Sequence, residues 1–153
     1  MSINNEGLDL IKKYEGFRTE AYLDSVGIPS LGYGHTAGVK MGDTCTLAQA
    51  TAWLLQDISY AEDIVNNAVT SDINENQRAA LISFVFNIGG GKEGVKDGLV
   101  ELKSGGQSHL LQYVNLGAFG KASEEFTKWA KAGGVVLIGL MKRRVDEQTL
   151  FML

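Results

Sequence analysis

The spacing of apolar side chains predicts two long helices in this chain. Apolar residues recur at helical spacing through one amphipathic stretch, at Leu47, Leu54, Ile58, Ala61 and Val65. Thr46 and Gln49 at its start have the spacing of a capping box, so we expect a helix over about 47–66. The run from Ala79 to Phe86 is apolar on nearly every side. Such a run is typical of a helix at the centre of a fold.

Shorter patterns predict the elements around these two helices. An apolar face behind Asn4 or Asn5 indicates a first helix that ends near Gly16. Residues 17–45 combine frequent glycines, the only proline and short apolar groups, which predicts a small antiparallel sheet with tight turns. Pairs of glycines then divide the rest of the chain into short helices, the last of which begins near Gly139.

This order of elements predicts an α+β fold, mostly helical, with the sheet confined to one lobe. We expect a single domain over residues 1–153, because its length is ordinary for one domain and 44% of it is hydrophobic. The sheet lobe is expected at about 17–45 and the helical lobe at about 1–14 and 60–153, joined by the long helix. No apolar run approaches the roughly 20 residues that span a bilayer, and residues 1–6 do not resemble a signal peptide.

The charge of the chain is unevenly distributed. A formal net charge of −4 argues against nonspecific binding to nucleic acid. Residues 57–76 carry five acidic and no basic residues, whereas residues 121–144 carry six basic residues against two acidic ones. The basic stretch is either a surface that faces an anionic partner or a solvated helix face, and the sequence leaves both open. The single cysteine, Cys45, excludes an internal disulfide and suits a reducing compartment.

Two carboxylic acids and a hydroxyl group follow one another from the end of the first helix into the sheet region. Hydrolysis of a glycosidic bond needs one group that protonates the leaving oxygen and another that delivers a nucleophile to the anomeric carbon. Glu15 and Asp24 supply two carboxyl groups, and Ser30 supplies a hydroxyl that can fix the position of a water. By themselves these residues are only suggestive, because acids nine positions apart are common.

The same segment resembles the phage-type lysozymes, glycoside hydrolase family 24. The family pattern is Glu-Gly, often with Arg, then an Ala-Tyr-x-Asp strand and Gly-x-x-Thr-Ile-Gly-Tyr-Gly-His-Thr. The chain matches it at Glu15-Gly16, Arg18, Ala21-Tyr22, Asp24, Gly27 and Gly32-Tyr33-Gly34-His35-Thr36. Later matches are Phe86-Asn87-Ile88-Gly89, Trp129 with Lys131-Ala132-Gly133-Gly134, and Gly139-Leu140 with Arg143-Arg144. The matches span most of the chain, and a motif of this length is highly specific.

The resemblance implies a lysozyme-like fold in which a helical lobe and a small sheet lobe flank a saccharide cleft. It implies hydrolysis of the β-1,4 bond between N-acetylmuramic acid and N-acetylglucosamine in bacterial peptidoglycan. In that reaction Glu15 is the general acid, Asp24 helps to activate water in an inverting displacement, and the hydroxyl of Ser30 contacts that water. Ser30 departs from the usual Thr, since it keeps the hydroxyl but lacks the methyl group that restricts its rotamer. Residues 92–98 and Ile138 also depart from the family pattern, which puts the sugar contacts of the helical lobe in doubt.

Further residues of the matched motifs are candidates for substrate contact or support. The backbone of Gly34 allows close approach of a sugar chain or a tight turn. Asn87 either hydrogen-bonds substrate or caps its own helix. His35 is expected to be structural and paired with an acid, for which Asp72 is the candidate.

Arg143 and Arg144 offer two alternatives between which the sequence does not choose. One of them pairs with Glu15 from the final helix, or both simply complement the surroundings of that helix. With His35 and His109 as the only histidines and no His-x-x-x-His spacing, we expect neither a metal site nor a cofactor.

The resemblance also implies a cellular context. An endolysin of this family is expected to act as a monomer, to wait in the host cytoplasm without a stable membrane anchor, and to reach peptidoglycan in the periplasm or wall after a partner holin opens the membrane. Two alternative functions stay open. A lytic transglycosylase cuts the same bond without adding water, but generally needs no paired Asp and hydroxyl. An inactive peptidoglycan-binding module would tolerate the departures at Ser30 and residues 92–98.

Overall fold

The computed structural model describes all 153 residues as six α-helices and two small antiparallel sheets. In chain order the elements are α1 (Asn5–Glu15), β1 (Arg18–Leu23), β2 (Pro29–Gly32), α2 (Leu47–Ala68), α3 (Glu75–Ile88), α4 (His109–Asn115), α5 (Phe119–Glu125), a 3-10 turn (Phe126–Lys128), β3 (Lys131–Ala132), β4 (Val135–Val136) and α6 (Ile138–Phe151). This architecture confirms the predicted α+β class. No helix is both long enough and apolar enough to cross a membrane.

Side-chain caps set the starts of the longer helices. At α2, the Thr46 Oγ1 accepts from the Gln49 amide at 3.2 Å, and the Gln49 Oε1 accepts from the Thr46 amide at 2.9 Å. Asn74 and Gln77 make the same reciprocal pair at the start of α3. Each capping box satisfies backbone N–H groups that have no partner within the helix. The capping box predicted at Thr46 is therefore confirmed, and α2 runs two residues beyond its predicted end.

The strands differ from the prediction in one respect. In the expected region, β1 pairs with β2 in antiparallel register, with Tyr22 opposite Ser30. The second sheet, β3–β4, was not predicted. Gly133 and Gly134 both have positive φ, at 58° and 79°, which suits a two-residue hairpin turn of type I′. Residues 89–108, where short helices were expected, contain none.

The chain forms two compact units, one over residues 1–10 and 61–153 (unit 1) and one over residues 11–60 (unit 2). In unit 1, α3 is buried continuously from Ala79 to Val85, as expected of a central helix. The Phe84 ring meets Phe126 and Trp129 edge-on, with ring centroids 5.8 and 5.2 Å apart. In unit 2 the buried apolar side chains are Ile11, Leu31, Tyr33, Cys45, Ala50, Leu54 and Ile58.

Within unit 1, the start of α1 lies against α3 with no room for a side chain. Asn4 caps α1, since its Oδ1 accepts from the Gly7 amide at 3.0 Å. A Cβ placed on Gly7 would lie 2.6 Å from the Cβ of Ala79 and 2.8 Å from the Cγ1 of Ile3. Real Cβ atoms do not approach this closely, so the packing of these two helices depends on a glycine here.

This contact predicts that Gly7→Ala is destabilising although alanine is the better helix former. We expect the free energy of unfolding to fall by about 1–3 kcal/mol, because the added methyl overfills the contact. Gly139→Ala in α6 is the matched control, since nothing lies within 4 Å of its Cβ position. There the free energy of unfolding should rise by up to about 1 kcal/mol. Urea titrations of both variants check this, and equal stabilities would contradict the close contact.

Candidate active site

Glu15 is the last residue of α1, and its carboxyl group is half-buried in unit 2. A Cβ on Gly34 would lie 3.5 Å from the Oε2 of Glu15, so these two residues are neighbours. Gly34 has a φ of 82°, a backbone conformation that favours glycine. Because Gly34 carries no side chain, backbone alone borders the Glu15 carboxyl on this side.

Asp24 follows β1 and organises the turn that leads to β2. Its Oδ1 accepts hydrogen bonds from the amides of Val26 and Ile28, at 3.0 and 2.9 Å. The Asp24 amide donates to the Ile28 carbonyl at 2.9 Å, which closes the same turn. The side chain therefore has a fixed orientation, as in an Asx-turn. The other oxygen, Oδ2, accepts no hydrogen bond from the protein, so it is available to a water.

Ser30 lies in β2 and is buried, with 2% of its surface exposed. Its hydroxyl donates to the Ile28 carbonyl at 3.2 Å. Ile28 therefore connects the two residues, because its amide binds the Asp24 carboxylate and its carbonyl binds the Ser30 hydroxyl. With its proton engaged in this way, the Ser30 oxygen can hold a water only as an acceptor.

His35 pairs with an acid, but the predicted partner, Asp72, was wrong. Its Nδ1 lies 2.9 Å from the Oδ2 of Asp57, and not beside Asp72, which is exposed. Because a carboxylate only accepts, Nδ1 carries the proton and donates it in this hydrogen bond. The imidazole also stacks on Trp53, with ring centroids 4.8 Å apart and planes inclined by 13°. Both partners come from α2, four residues apart.

The contacts of His35 hold the turn that contains Gly34 against α2. The amide of Leu31 donates to the carbonyl of His35, and the amide of His35 donates to the carbonyl of Leu31, both at 2.9 Å. The turn is thus closed at its two ends, and the His35 side chain joins it to α2. A sequence signal for this arrangement existed, since Trp53 and Asp57 have the i,i+4 spacing that lets two side chains share one helix face.

In unit 1, Arg143 and Arg144 surround a carboxylate that the sequence analysis missed. The Nε of Arg144 lies 2.8 Å from the Oε2 of Glu147, and the Nε of Arg143 donates to its Oε1 at 3.3 Å. The Ser83 hydroxyl donates to the same Oε1 at 2.7 Å. All of these residues are buried. Burial raises the pKa of Glu147, and attraction to Arg144 and then Arg143 opposes that rise.

The spacing of these residues along α6 was the available signal. Glu147 stands three and four positions after the arginines, where side chains on one helix face meet. Sequence reasoning instead considered Glu15 as the partner of one arginine, and that pairing stays a prediction.

Asn87 lies near the end of α3 and is exposed. Its Oδ1 accepts from the Nη2 of Arg144 at 2.8 Å. Because a guanidinium only donates hydrogen bonds, the side-chain atom of Asn87 that faces Arg144 is the oxygen, and the NH₂ group points the other way. The Nδ2 donors of Asn87 are then available to a ligand. The neighbouring carbonyl of Ile88 accepts a hydrogen bond from the Lys96 Nζ at 3.1 Å. Residues 92–98, which differ from the family pattern, therefore supply a cap for this end of α3.

The predicted site residues thus fall into two sets. Unit 2 holds Glu15, Asp24, Ser30, Gly34 and His35, and unit 1 holds Asn87, Arg143 and Arg144. In unit 2 the contacts described above connect Asp24 with Ser30 through Ile28 and, separately, bring Gly34 beside Glu15, whereas in unit 1 Arg144 contacts both Asn87 and Glu147. No group of three or more His, Cys, Asp or Glu side chains in the chain is arranged to hold a metal ion.

Comparison with known proteins gives consistent matches over almost the whole chain. The family model "Phage lysozyme" matches residues 12–147. The chain is 39% identical to an endolysin of Acyrthosiphon pisum secondary endosymbiont phage 1, over 99% of this chain and 98% of that protein.

Solved structures agree in fold. The endolysin from Escherichia coli O157:H7 phage FAHEc1 superimposes with a TM-score of 0.84 at 32% identity, covering 99% of this chain and 94% of the other. The muramidase domain of SpmX from Asticaccaulis excentricus gives 0.82 at 34% identity, covering 99% and 98%. The chain therefore belongs to the phage lysozyme family, and this membership supports a role in lysis of the bacterial cell wall through glycosidase activity.

Proposed function

We propose that this protein is a muramidase that hydrolyses the β-1,4 bond between N-acetylmuramic acid and N-acetylglucosamine in peptidoglycan, with inversion at the anomeric carbon. The observation that carries the proposal is the pairing of Glu15 with the bare backbone of Gly34, in a chain of the phage lysozyme family. The solved structure of a muramidase domain, 34% identical over 99% of this chain, supports the choice of bond.

Glu15 acts as the general acid in this proposal. Cleavage of a glycoside requires a proton on the leaving oxygen, because an alkoxide is a poor leaving group in a sugar. Glu15 is half-buried, and Gly34 places no side chain beside its Oε2. A sugar ring can approach that oxygen across the glycine, which is the substrate role proposed for Gly34. Asn87, in unit 1, is proposed to donate its fixed amide to a substrate sugar.

Asp24 and Ser30 act on the attacking water. In an inverting enzyme a carboxylate activates a water on the face of the sugar opposite to the acid, and the two carboxyl groups stand about 6.5–9.5 Å apart. Asp24 suits this role because the amides of Val26 and Ile28 hold one oxygen and leave the other available. The Ser30 oxygen is proposed to accept a hydrogen bond from the same water.

The proposal extends to the setting in which the enzyme works. We expect it to act as a monomer on peptidoglycan and to need neither metal nor cofactor. By analogy with the family, it waits in the host cytoplasm until a holin opens the membrane.

The first prediction concerns the acid. Glu15→Gln should fold normally but lose about 10²–10⁴-fold or more in activity, because an amide cannot protonate the leaving oxygen. Glu6→Gln, an exposed position at the other end of α1, is the control and should keep full activity. Clearing of chloroform-treated cells measures both variants. A Glu15→Gln variant that retained a tenth of the activity would disprove the role assigned to Glu15.

The second prediction concerns the products and tests the function itself. Purified peptidoglycan should yield muropeptides with reducing muramic acid ends, released first as the α-anomer. Mass analysis and rapid NMR of the released sugars measure these two properties. Anhydro-muramic ends would identify a lytic transglycosylase, β-anomers would exclude inversion, and no release at all would identify a binding module.

The third prediction concerns the support of the Gly34 turn. Asp57→Asn should lower the free energy of unfolding by about 1–2 kcal/mol, a modest loss because 35% of the Asp57 side chain is exposed. It should also lower kcat more than it raises KM, since Gly34 would be less firmly held beside Glu15. Asp63→Asn removes the same charge from an exposed position of α2 and should change neither quantity. Equal behaviour of the two variants would show that the His35–Asp57 pair does not position the turn.

A further inference from the structure

The β3–β4 hairpin and the residue that follows it expose an unbroken run of apolar side chains. Val135, Val136, Leu137 and Ile138 have 62%, 50%, 44% and 75% of their surface exposed. Neither strand of the hairpin has a buried face, so these side chains contribute nothing to the core of unit 1. Contiguous exposed apolar surface in a protein commonly marks a site of interaction with another molecule or a membrane.

The same part of the chain has a distinctive charge. Residues 126–145 contain five basic residues and no Asp or Glu, in a chain whose net charge is −4. Arg143 and Arg144 are buried beside Glu147, and Lys128 pairs with Glu125 at 2.7 Å. Lys131 and Lys142 are exposed and make no ion pair. The uncompensated positive charge is therefore concentrated in these two lysines.

Both lysines adjoin the apolar run. Lys131 is the cross-strand partner of Val136. Lys142 stands four residues after Ile138 in α6, so these two side chains lie on one face of that helix. The surface formed by residues 131, 135–138 and 142, here called the hairpin surface, thus combines apolar side chains with a cationic border.

We propose that the hairpin surface binds the surface of an anionic phospholipid bilayer. The apolar side chains enter the boundary between headgroups and acyl chains, and the two lysines remain at the level of the lipid phosphates. A hydrophilic polyanion would satisfy the lysines but leave four apolar side chains in water. A second copy of the chain would bring like charges together across a symmetric interface, which opposes association. The bilayer is the partner that satisfies both features.

This interaction is tested separately from the proposed muramidase activity, because none of its residues is one of the proposed catalytic residues Glu15, Asp24 and Ser30. It is also distinct from insertion of a helix, since no helix of the chain is suited to span a membrane. It gives the protein a reversible, peripheral mode of binding in which electrostatic attraction and apolar burial act together.

The test is co-sedimentation of the full chain with vesicles of phosphatidylglycerol and phosphatidylethanolamine, and with vesicles of phosphatidylcholine. We expect binding to the anionic vesicles. The double variant Val136→Ser/Ile138→Ser should bind about tenfold more weakly, because it removes apolar area from the contact. Leu116→Ser/Leu153→Ser is the matched control, since 78% and 75% of these side chains are exposed outside the hairpin surface. Its binding should be unchanged.

A second pair of variants tests the charge. Lys131→Gln/Lys142→Gln should lower binding to anionic vesicles about tenfold, whereas Lys40→Gln/Lys103→Gln, also exposed, should have a much smaller effect. Part of the binding of the unmodified chain should survive 0.5 M salt, because salt screens the attraction of the lysines but not the burial of the apolar side chains. Melting curves verify that each variant is folded.

Any of the following results would overturn the proposal. The first is failure to bind anionic vesicles, and the second is binding that the Val136→Ser/Ile138→Ser variant leaves unchanged or that salt abolishes completely. The third is a concentration-dependent dimer in sedimentation velocity that this variant dissociates, which would identify a second copy of the chain as the partner.

Discussion

The buried carboxylate of Glu147 imposes a strong constraint on how the helices of unit 1 pack. A carboxylate removed from water is strongly disfavoured unless cations and hydrogen-bond donors surround it. Arg143 and Arg144 supply the cations from α6 itself, while Ser83 supplies a hydroxyl from α3. The Arg144 guanidinium also lies 5.0 Å from the centre of the Phe84 ring. Rotation of α6 about its axis would break all these contacts together, so the network fixes the register between the final helix and the central one.

The functional features of unit 1 follow from that register. Asn87 receives its orientation from Arg144, and the hairpin surface leads directly into the first turn of α6. In unit 2, the element that needs to be held in place is the two-stranded sheet. A two-stranded sheet is marginally stable alone, so β1 and β2 need support from a neighbouring helix. The buried side chains of α2 and the His35–Asp57 hydrogen bond supply that support inside residues 11–60.

Sequence reasoning succeeded where the determining interactions are local. The start of α2 could be predicted from four residues, because Thr46 and Gln49 form the capping pair. The burial of Ala79–Val85 could be predicted from the apolar run alone, whichever elements pack against it. The motif around Glu15 and Asp24 identified the family because its spacing is long and specific. The reasoning failed where a partner had to be chosen across the fold. The i,i+4 spacing of Trp53 and Asp57 places both side chains on one face of α2, but only the course of α2 in the fold brings that face to His35.

The manner in which Asp24 is held has a consequence for how this turn can vary among relatives. Its carboxylate is oriented by the main-chain amides of Val26 and Ile28 and by no side chain. The side chains at 25, 26 and 28 are exposed, so they can change by mutation without moving the carboxylate, whereas Gly27 has a φ of 82° that favours glycine. Only proline at 26 or 28 would remove a donor, because it lacks an N–H group. The proline of this chain stands one residue later, at 29, where it removes neither of these donors. Substitutions at these exposed positions therefore leave the orientation of the Asp24 carboxylate unchanged.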